Sequence, residues 1–86
     1  MQSKEVKVNL KGGLNARPLA MLVQVASRYD SEIHIGCDGR KVNAKSIMGM
    51  MSLGLPEGQV LEVNADGQDE SDAITAIEEY LLTGSA

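Results

Sequence analysis

Hydrophobic and polar residues alternate along several short segments of the chain, and this spacing indicates strands that bury one face. Residues 5–10 and 32–37 alternate most regularly. Asp38-Gly39 is a strong signal for a hairpin turn that returns the chain through residues 40–43. A fourth strand is predicted at residues 59–65, closed by Asp66-Gly67. His34 should face outward, and the side chains predicted to face inward in the first two strands are Val6, Val8, Leu10, Ile33, Ile35 and Cys37.

Three other segments have apolar residues at the spacing of one helix face, at residues 16–29, 47–53 and about 70–82. Each follows a residue whose side chain can cap a helix N-terminus, namely Asn15, Ser46 and Asp69. Pro18 falls in the first turn of the first helix, where its missing N–H is not needed, and Gly84 follows the last helix. The side chains predicted to face inward from the long helices are Leu19, Leu22, Val23, Ala26, Ala73, Ile74, Ile77 and Leu81.

The predicted order βαββαβα gives an open-faced α+β sandwich, in which a four-stranded sheet carries three helices on one face. We expect a single domain over residues 1–86, because this length is near the lower limit for stability by core burial alone. A ferredoxin-like sandwich that binds RNA or senses a small ligand has nearly the same order. The sheet aromatics that stack bases are absent, and there is no phosphate loop or polar pocket signature.

The composition argues against several functional classes. The formal net charge is −4, so the chain has little with which to build the basic face of a general nucleic-acid binder. No stretch approaches the roughly 20 apolar residues of a membrane span, and the first residues lack the apolar run of a signal peptide. Cys37 is the only cysteine, which leaves no internal disulfide and suits a reducing cytosol. We therefore expect a cytoplasmic protein.

The charges are distributed unevenly along the chain. Carboxylates cluster between Asp66 and Glu79, whereas the basic residues Arg17, Arg40, Lys41 and Lys45 all lie within the first 45 residues. Such an asymmetry predicts a locally positive docking surface on an acidic protein.

Three candidate sites lie in the first two-thirds of the chain, and each also has a purely structural interpretation. Ser46 precedes a short helix, so its hydroxyl is expected to cap that helix, and the same position favours a phosphate. Arg17 begins a helix, where a lone arginine is usually a solvated charge, although it could hold an anion. Methionines such as those at residues 47–53 more often belong to a core, but a seven-residue helix cannot bury every face.

Two segments resemble the HPr family, the histidine phosphocarriers of the bacterial sugar phosphotransferase system. Gly13-Leu14-Asn15-Ala16-Arg17-Pro18 looks like the active-site loop, and residues 42–53 look like the regulatory-serine segment of HPr from Gram-positive bacteria. In that family the position of Asn15 is the phosphorylated histidine. A side-chain amide nitrogen gives its lone pair to the carbonyl, so Asn15 cannot carry a phosphoryl group. We therefore expect neither phosphocarrier chemistry nor enzymatic activity.

The resemblance covers nearly the whole chain, implies the HPr fold, and is strongest to the catabolite-repression HPr paralogues of bacilli. In these the histidine position is also an amide, although a glutamine rather than the Asn15 found here. The resemblance implies that HPr kinase/phosphorylase phosphorylates Ser46 and that the product is a corepressor of the LacI-type regulator CcpA. DNA contact would belong to the repressor, and no cofactor or metal is implied. Met50 should point inward, and the partner-binding residues carried over are Asn15, Arg17, Lys45, Ile47, Met48 and Met51.

Two further interpretations stay open at this point. The chain could be a phosphocarrier that uses another residue, but His34, the only histidine, lies in the middle of a strand. It could also modulate a metabolic enzyme through the same surface. The resemblance further implies that a homodimer can form by exchange of the first strand, for which Gly12-Gly13 would be a permissive hinge.

Overall fold

The secondary-structure elements follow the predicted order along the chain. The computed structural model describes residues 1–13, 16–53 and 56–84, and within these ranges it contains four strands and three helices. They are β1 (Gln2–Lys7), α1 (Ala16–Ser27), β2 (Glu32–Cys37), β3 (Arg40–Asn43), α2 (Ile47–Met51), β4 (Val60–Asp66) and α3 (Glu70–Thr83). The βαββαβα order and the α+β sandwich are confirmed.

The strands form one antiparallel sheet in the order β1-β4-β2-β3. The tight connection joins β2 to β3, where Asp38 and Gly39 have φ angles of 51° and 79°. Two consecutive positive φ angles suit the two-residue hairpin turn that matches the twist of a sheet, and Asp and Gly tolerate them better than most residues. The predicted hairpin is therefore confirmed, and it places Arg40 opposite Cys37.

The core lies between one face of the sheet and the helices. α3 packs against β1 and β4, and α1 packs against both α2 and α3. The Tyr80 hydroxyl donates to the Pro18 carbonyl over 3.0 Å and so joins α3 to the first turn of α1. Because an aliphatic side chain contributes about 1.5–3 kcal/mol when it is fully buried, this core is the main source of stability. Its largest fully buried apolar side chains are those of Leu22, Ile33, Ile35, Met50, Leu61, Ile77, Leu81, Val8, Val25 and Val63.

Several element boundaries and facing residues differ from the sequence prediction. β1 begins at Gln2 and its last residue is Lys7, although Val8 is still buried. α1 ends at Ser27 because the amides of Arg28 and Tyr29 donate to carbonyls three residues earlier, which tightens the last turn. α2 ends at Met51 for the same reason, and β4 is shifted by one residue, to 60–66. Within α1, Val25 is buried and Val23 only partly so.

The predicted side-chain cap of α3 by Asp69 is wrong. Its carboxylate instead accepts hydrogen bonds from the amides of Asp30 and Ser31, at 2.9 and 3.0 Å, and from the Ser31 hydroxyl. The hydrogen bond from that hydroxyl is the main reason why the pKa of Asp69 is lowered. These bonds join the start of α3 to the start of β2, and Gly67 fits here because a Cβ would lie 2.7 Å from the Ser31 Cα.

The ends of α3 are satisfied by other groups. The Glu70 carboxylate accepts from the Gly67 amide over 3.2 Å at the N-terminal end. At the C-terminal end Gly84 is left-handed, with φ 75°, and its amide donates to Tyr80, as predicted for a terminating glycine. The predicted cap of α1, Asn15, lies outside the described residues.

Candidate functional site

Ser46 begins α2 and caps it. Its backbone is extended, with φ −104° and ψ 111°, and its hydroxyl accepts a 3.3 Å hydrogen bond from the Gly49 amide. The turn that leads into Ser46 is held by Asn43, whose side-chain oxygen accepts from the Lys45 amide over 2.8 Å. The capping prediction is confirmed. The residue is only partly buried, and its hydroxyl orients the first turn of the helix.

The opposite end of α2 is held by Arg40, a role that the sequence did not indicate. Its guanidinium donates to the Ser52 carbonyl over 3.1 Å and to the Ser52 hydroxyl over 3.2 Å. The same hydroxyl donates to the Gly49 carbonyl over 2.6 Å. An arginine near the last carbonyls of a helix stabilises that end. The signal available in the sequence was the Asp38-Gly39 turn, which places residue 40 at the start of the returning strand.

Lys45 links the start of α2 to the end of α1. Its ammonium donates to the Tyr29 carbonyl over 2.6 Å, and the residue is partly buried. Lys45 was predicted to contact a partner. In the free protein its charged group binds backbone instead, so a partner that recruits it must replace this hydrogen bond.

α2 exposes most of its large apolar side chains. Met48 is 81% exposed, Met51 57% and Ile47 45%, whereas Met50 is fully buried. The predicted inward direction of Met50 is therefore confirmed. We refer to Ile47, Met48 and Met51 as the methionine patch. Several large apolar side chains exposed on one short helix are typical of an interaction surface, because folding alone would favour their burial.

Arg17 lies in the first turn of α1 and is exposed. Among the described residues, no hydrogen bond or ion pair engages its guanidinium. Because α1 packs against α2, both helices belong to the same side of the molecule. The position of Asn15 relative to Arg17 and Ser46 lies outside the described residues.

The remaining chemically active side chains lie away from α2. His34 faces away from the helices in the middle of β2, where it is opposite Asn43 on one side and Asn64 on the other. Cys37 is partly buried at the end of β2, and burial together with Asp38 raises the pKa of its thiol. Within the described ranges, no group of His, Cys, Asp and Glu side chains has the arrangement of a metal site.

Comparison with known proteins identifies the family and accounts for the fold. The model of a family described as "PTS HPr component phosphorylation site" matches residues 2–82. The chain belongs to the HPr family. The HPr-like protein Crh of Halalkalibacterium halodurans is 52% identical over 77 residues, which cover 90% of this chain and 92% of that protein. This match confirms the resemblance to the catabolite-repression HPr paralogues that the sequence showed.

Solved structures of the HPr family have the same open-faced sandwich. The phosphocarrier protein HPr from Bacillus anthracis superposes with a TM-score of 0.91 at 45% identity, over 93% of this chain and 95% of that chain. Crh from Bacillus subtilis superposes with a TM-score of 0.75 at 42% identity, over 100% of this chain and 98% of that chain. That Crh is described as a dimer with a swapped domain. In this chain β1 pairs with its own β4.

The chemistry open to this HPr-family chain follows from the residues at two positions. Position 15 holds an amide, whose delocalised lone pair does not accept a phosphoryl group. Position 46 holds the hydroxyl that caps α2, next to the methionine patch. In the described parts of the chain, no helix has the length and hydrophobicity needed to cross a bilayer.

Proposed function

We propose that this protein is a regulatory HPr paralogue of the Crh type rather than a phosphocarrier. HPr kinase/phosphorylase phosphorylates Ser46 at the expense of ATP, and the phosphorylated protein binds the LacI-type repressor CcpA as its corepressor. The observation that carries this proposal is the construction of α2. A partly buried serine caps the N-terminus of the helix, and Ile47, Met48 and Met51 are exposed beside it while Met50 anchors the helix in the core.

A phosphate on Ser46 would distinguish two states of the surface around α2, one phosphorylated and one unmodified. It adds about −1.5 to −2 charges and three strong acceptor oxygens at pH 7, which arginine or lysine side chains of a repressor can bind. The methionine patch supplies apolar contact area in both states. The patch therefore gives affinity, and the phosphate determines when that affinity is used.

The proposed contact residues differ in how available they are. Arg17 is exposed and can pair with a carboxylate of the partner or with the phosphoserine. Lys45 already donates to Tyr29, so its contribution includes the loss of that bond. Asn15 completes the proposed set as a hydrogen-bonding amide. DNA contact belongs to the repressor, in keeping with the net charge of −4, and the proposed location is the cytoplasm.

The first test is incubation with ATP and HPr kinase/phosphorylase, followed by peptide mass spectrometry. We expect a single phosphate on the peptide that contains Ser46 and none in the Ser46→Ala variant. Ser52→Ala is a matched control, because Ser52 is an exposed serine at the other end of the same helix. An unmodified protein, or a phosphate on another residue, would contradict the proposal.

The family description and the likeness to the Bacillus anthracis phosphocarrier favour phosphocarrier activity as a second candidate function. Incubation with phosphoenolpyruvate and enzyme I tests it, because a phosphohistidine is labile in acid and a phosphoserine is not. We expect no acid-labile phosphate. If one forms, His34 is the only histidine that can hold it, and His34→Gln identifies it.

A further inference from the structure

α2 contains three methionines that differ widely in solvent exposure. Met48 is 81% exposed and Met51 57%, while Met50 between them is fully buried. All three lie within one turn of the same five-residue helix. The three side chains therefore share one stretch of backbone and the same surrounding concentration of oxidant. Their reactivities differ only because solvent reaches them to different extents.

Solvent exposure determines whether a thioether can react with a peroxide. The sulfur lone pair attacks one oxygen of hydrogen peroxide, and the O–O bond breaks. The departing hydroxide takes the proton from the oxygen now bound to sulfur and leaves as water. The thioether loses two electrons and becomes a sulfoxide, and the peroxide is reduced. Methionine sulfoxide reductases restore the thioether: two thiols supply the two electrons and become a disulfide, and the sulfoxide oxygen leaves as water. An oxidant that cannot reach Met50 can reach the sulfur atoms of Met48 and Met51.

We propose that Met48 and Met51 are a reversible oxidation site that turns off docking through the methionine patch. This inference rests on the proposed function, because it assigns a regulation to the same docking surface. A sulfoxide carries a strong dipole and a hydrogen-bond acceptor that must be desolvated when a partner covers the patch. Oxidation therefore weakens docking without removing the phosphate from Ser46, and Met50 keeps α2 anchored in the core throughout.

Other methionines of the chain provide internal references. Met1 and Met21 are also exposed but lie outside α2. Their oxidation is expected under the same conditions and leaves the patch intact. The variant Met48→Leu/Met51→Leu keeps two apolar side chains of similar size and removes both reactive sulfur atoms from the patch. It retains Met1, Met21 and Met50, so it separates oxidation of the patch from oxidation elsewhere.

The experiment uses the folded, Ser46-phosphorylated protein and graded hydrogen peroxide. Peptide mass mapping should show sulfoxide at Met48 and Met51 well before Met50, with Met50 reacting only after denaturation in urea. Binding to CcpA, measured by fluorescence anisotropy, should weaken on the order of tenfold after oxidation that is selective for the exposed methionines over Met50. It should recover after treatment with methionine sulfoxide reductases A and B and dithiothreitol. The Met48→Leu/Met51→Leu protein should bind equally well before and after peroxide.

Two results would overturn the inference by itself, namely equal oxidation of Met48 and Met50 in the folded protein, or unchanged affinity after selective oxidation. A reduced phosphoprotein that fails to bind CcpA at all contradicts the proposed function, and the inference falls with it. The mass map and the affinity of the reduced protein are separate measurements, so the two failures can be told apart.

Discussion

α2 and α3 differ in the burial of their apolar side chains: α3 buries most of them, and α2 exposes most of them. α3 has 14 residues and buries Ala73, Ile74, Ile77, Tyr80 and Leu81 against the sheet and α1. α2 has five residues, buries Met50 and leaves the methionine patch in solvent. The contrast indicates that α3 contributes mainly to folding stability, whereas α2 leaves the apolar surface that we propose for docking exposed and is held by hydrogen bonds at its two ends.

The largest expected effect tests this contrast with two identical substitutions. Ile77→Ala removes a fully buried side chain and should lower the free energy of unfolding by about 2–5 kcal/mol. Ile47→Ala removes the same atoms from a side chain that is 45% exposed, and should change it by less than about 1 kcal/mol. Urea denaturation followed by circular dichroism measures both. Similar losses for the two variants would remove the distinction between the helices.

The second prediction reverses the contrast by measuring docking instead of stability. In the Ser46-phosphorylated protein, Met48→Ala should weaken binding to CcpA by about tenfold or more, because a hot-spot contact is worth about 2 kcal/mol or more and about 1.4 kcal/mol corresponds to tenfold. Leu82→Ala is the control, since Leu82 is a partly exposed leucine of α3. Titration calorimetry measures the two affinities. Equal weakening by both variants would place the docking surface elsewhere.

The third prediction concerns the junction that holds α3 to β2. The pKa of Asp69 is lowered in the folded protein from its ordinary value of about 3.8. Its contribution to stability is therefore fully present above pH 3.8 and is lost as the pH falls through the folded pKa. Asp69→Asn should flatten the acid limb of the unfolding free energy between pH 5 and 2. An unchanged acid limb in Asp69→Asn would mean that other carboxylates determine it.

The smallest expected effect lies at the C-terminal end of α2. Arg40→Gln removes the hydrogen bonds to Ser52 and should lower global stability by less than about 1 kcal/mol, because the group is exposed. The local effect is more specific. Hydrogen exchange of the Ser52 and Leu53 amides should accelerate several-fold, and Lys41→Gln should leave it unchanged. Equal exchange in both variants would show that α2 does not depend on Arg40.

Most of the fold could be predicted because its determinants are local. Alternation, helical spacing and the Asp38-Gly39 turn depend on neighbours in sequence, and all seven elements were found from them. The errors at helix ends have a different origin. The amides at the ends of α1 and α2 can donate to a carbonyl either three or four residues earlier, and residue type does not determine which acceptor is used.

The polar contacts around α2 and α3 could not be predicted, because they join residues that are distant in sequence. Asp69 has a suitable position to cap α3, but its carboxylate accepts hydrogen bonds from the Asp30 and Ser31 amides and the Ser31 hydroxyl instead. Lys45 donates to Tyr29 and Arg40 to Ser52 for similar reasons of tertiary geometry. The Ser46 cap was predicted correctly because it follows from position at the start of one short helix, and the inward Met50, which the resemblance to the HPr family implied, is also confirmed.

The most direct test of the central claim compares the affinity of CcpA for the Ser46-phosphorylated and the unmodified protein in one calorimetric series, with phosphorylated Ser52→Ala as a control. The account predicts that phosphorylation strengthens binding by at least about tenfold, that Ser46→Ala incubated with kinase and ATP stays at the unmodified level, and that Ser52→Ala behaves as the parent. Equal affinity of the phosphorylated and unmodified proteins would contradict it.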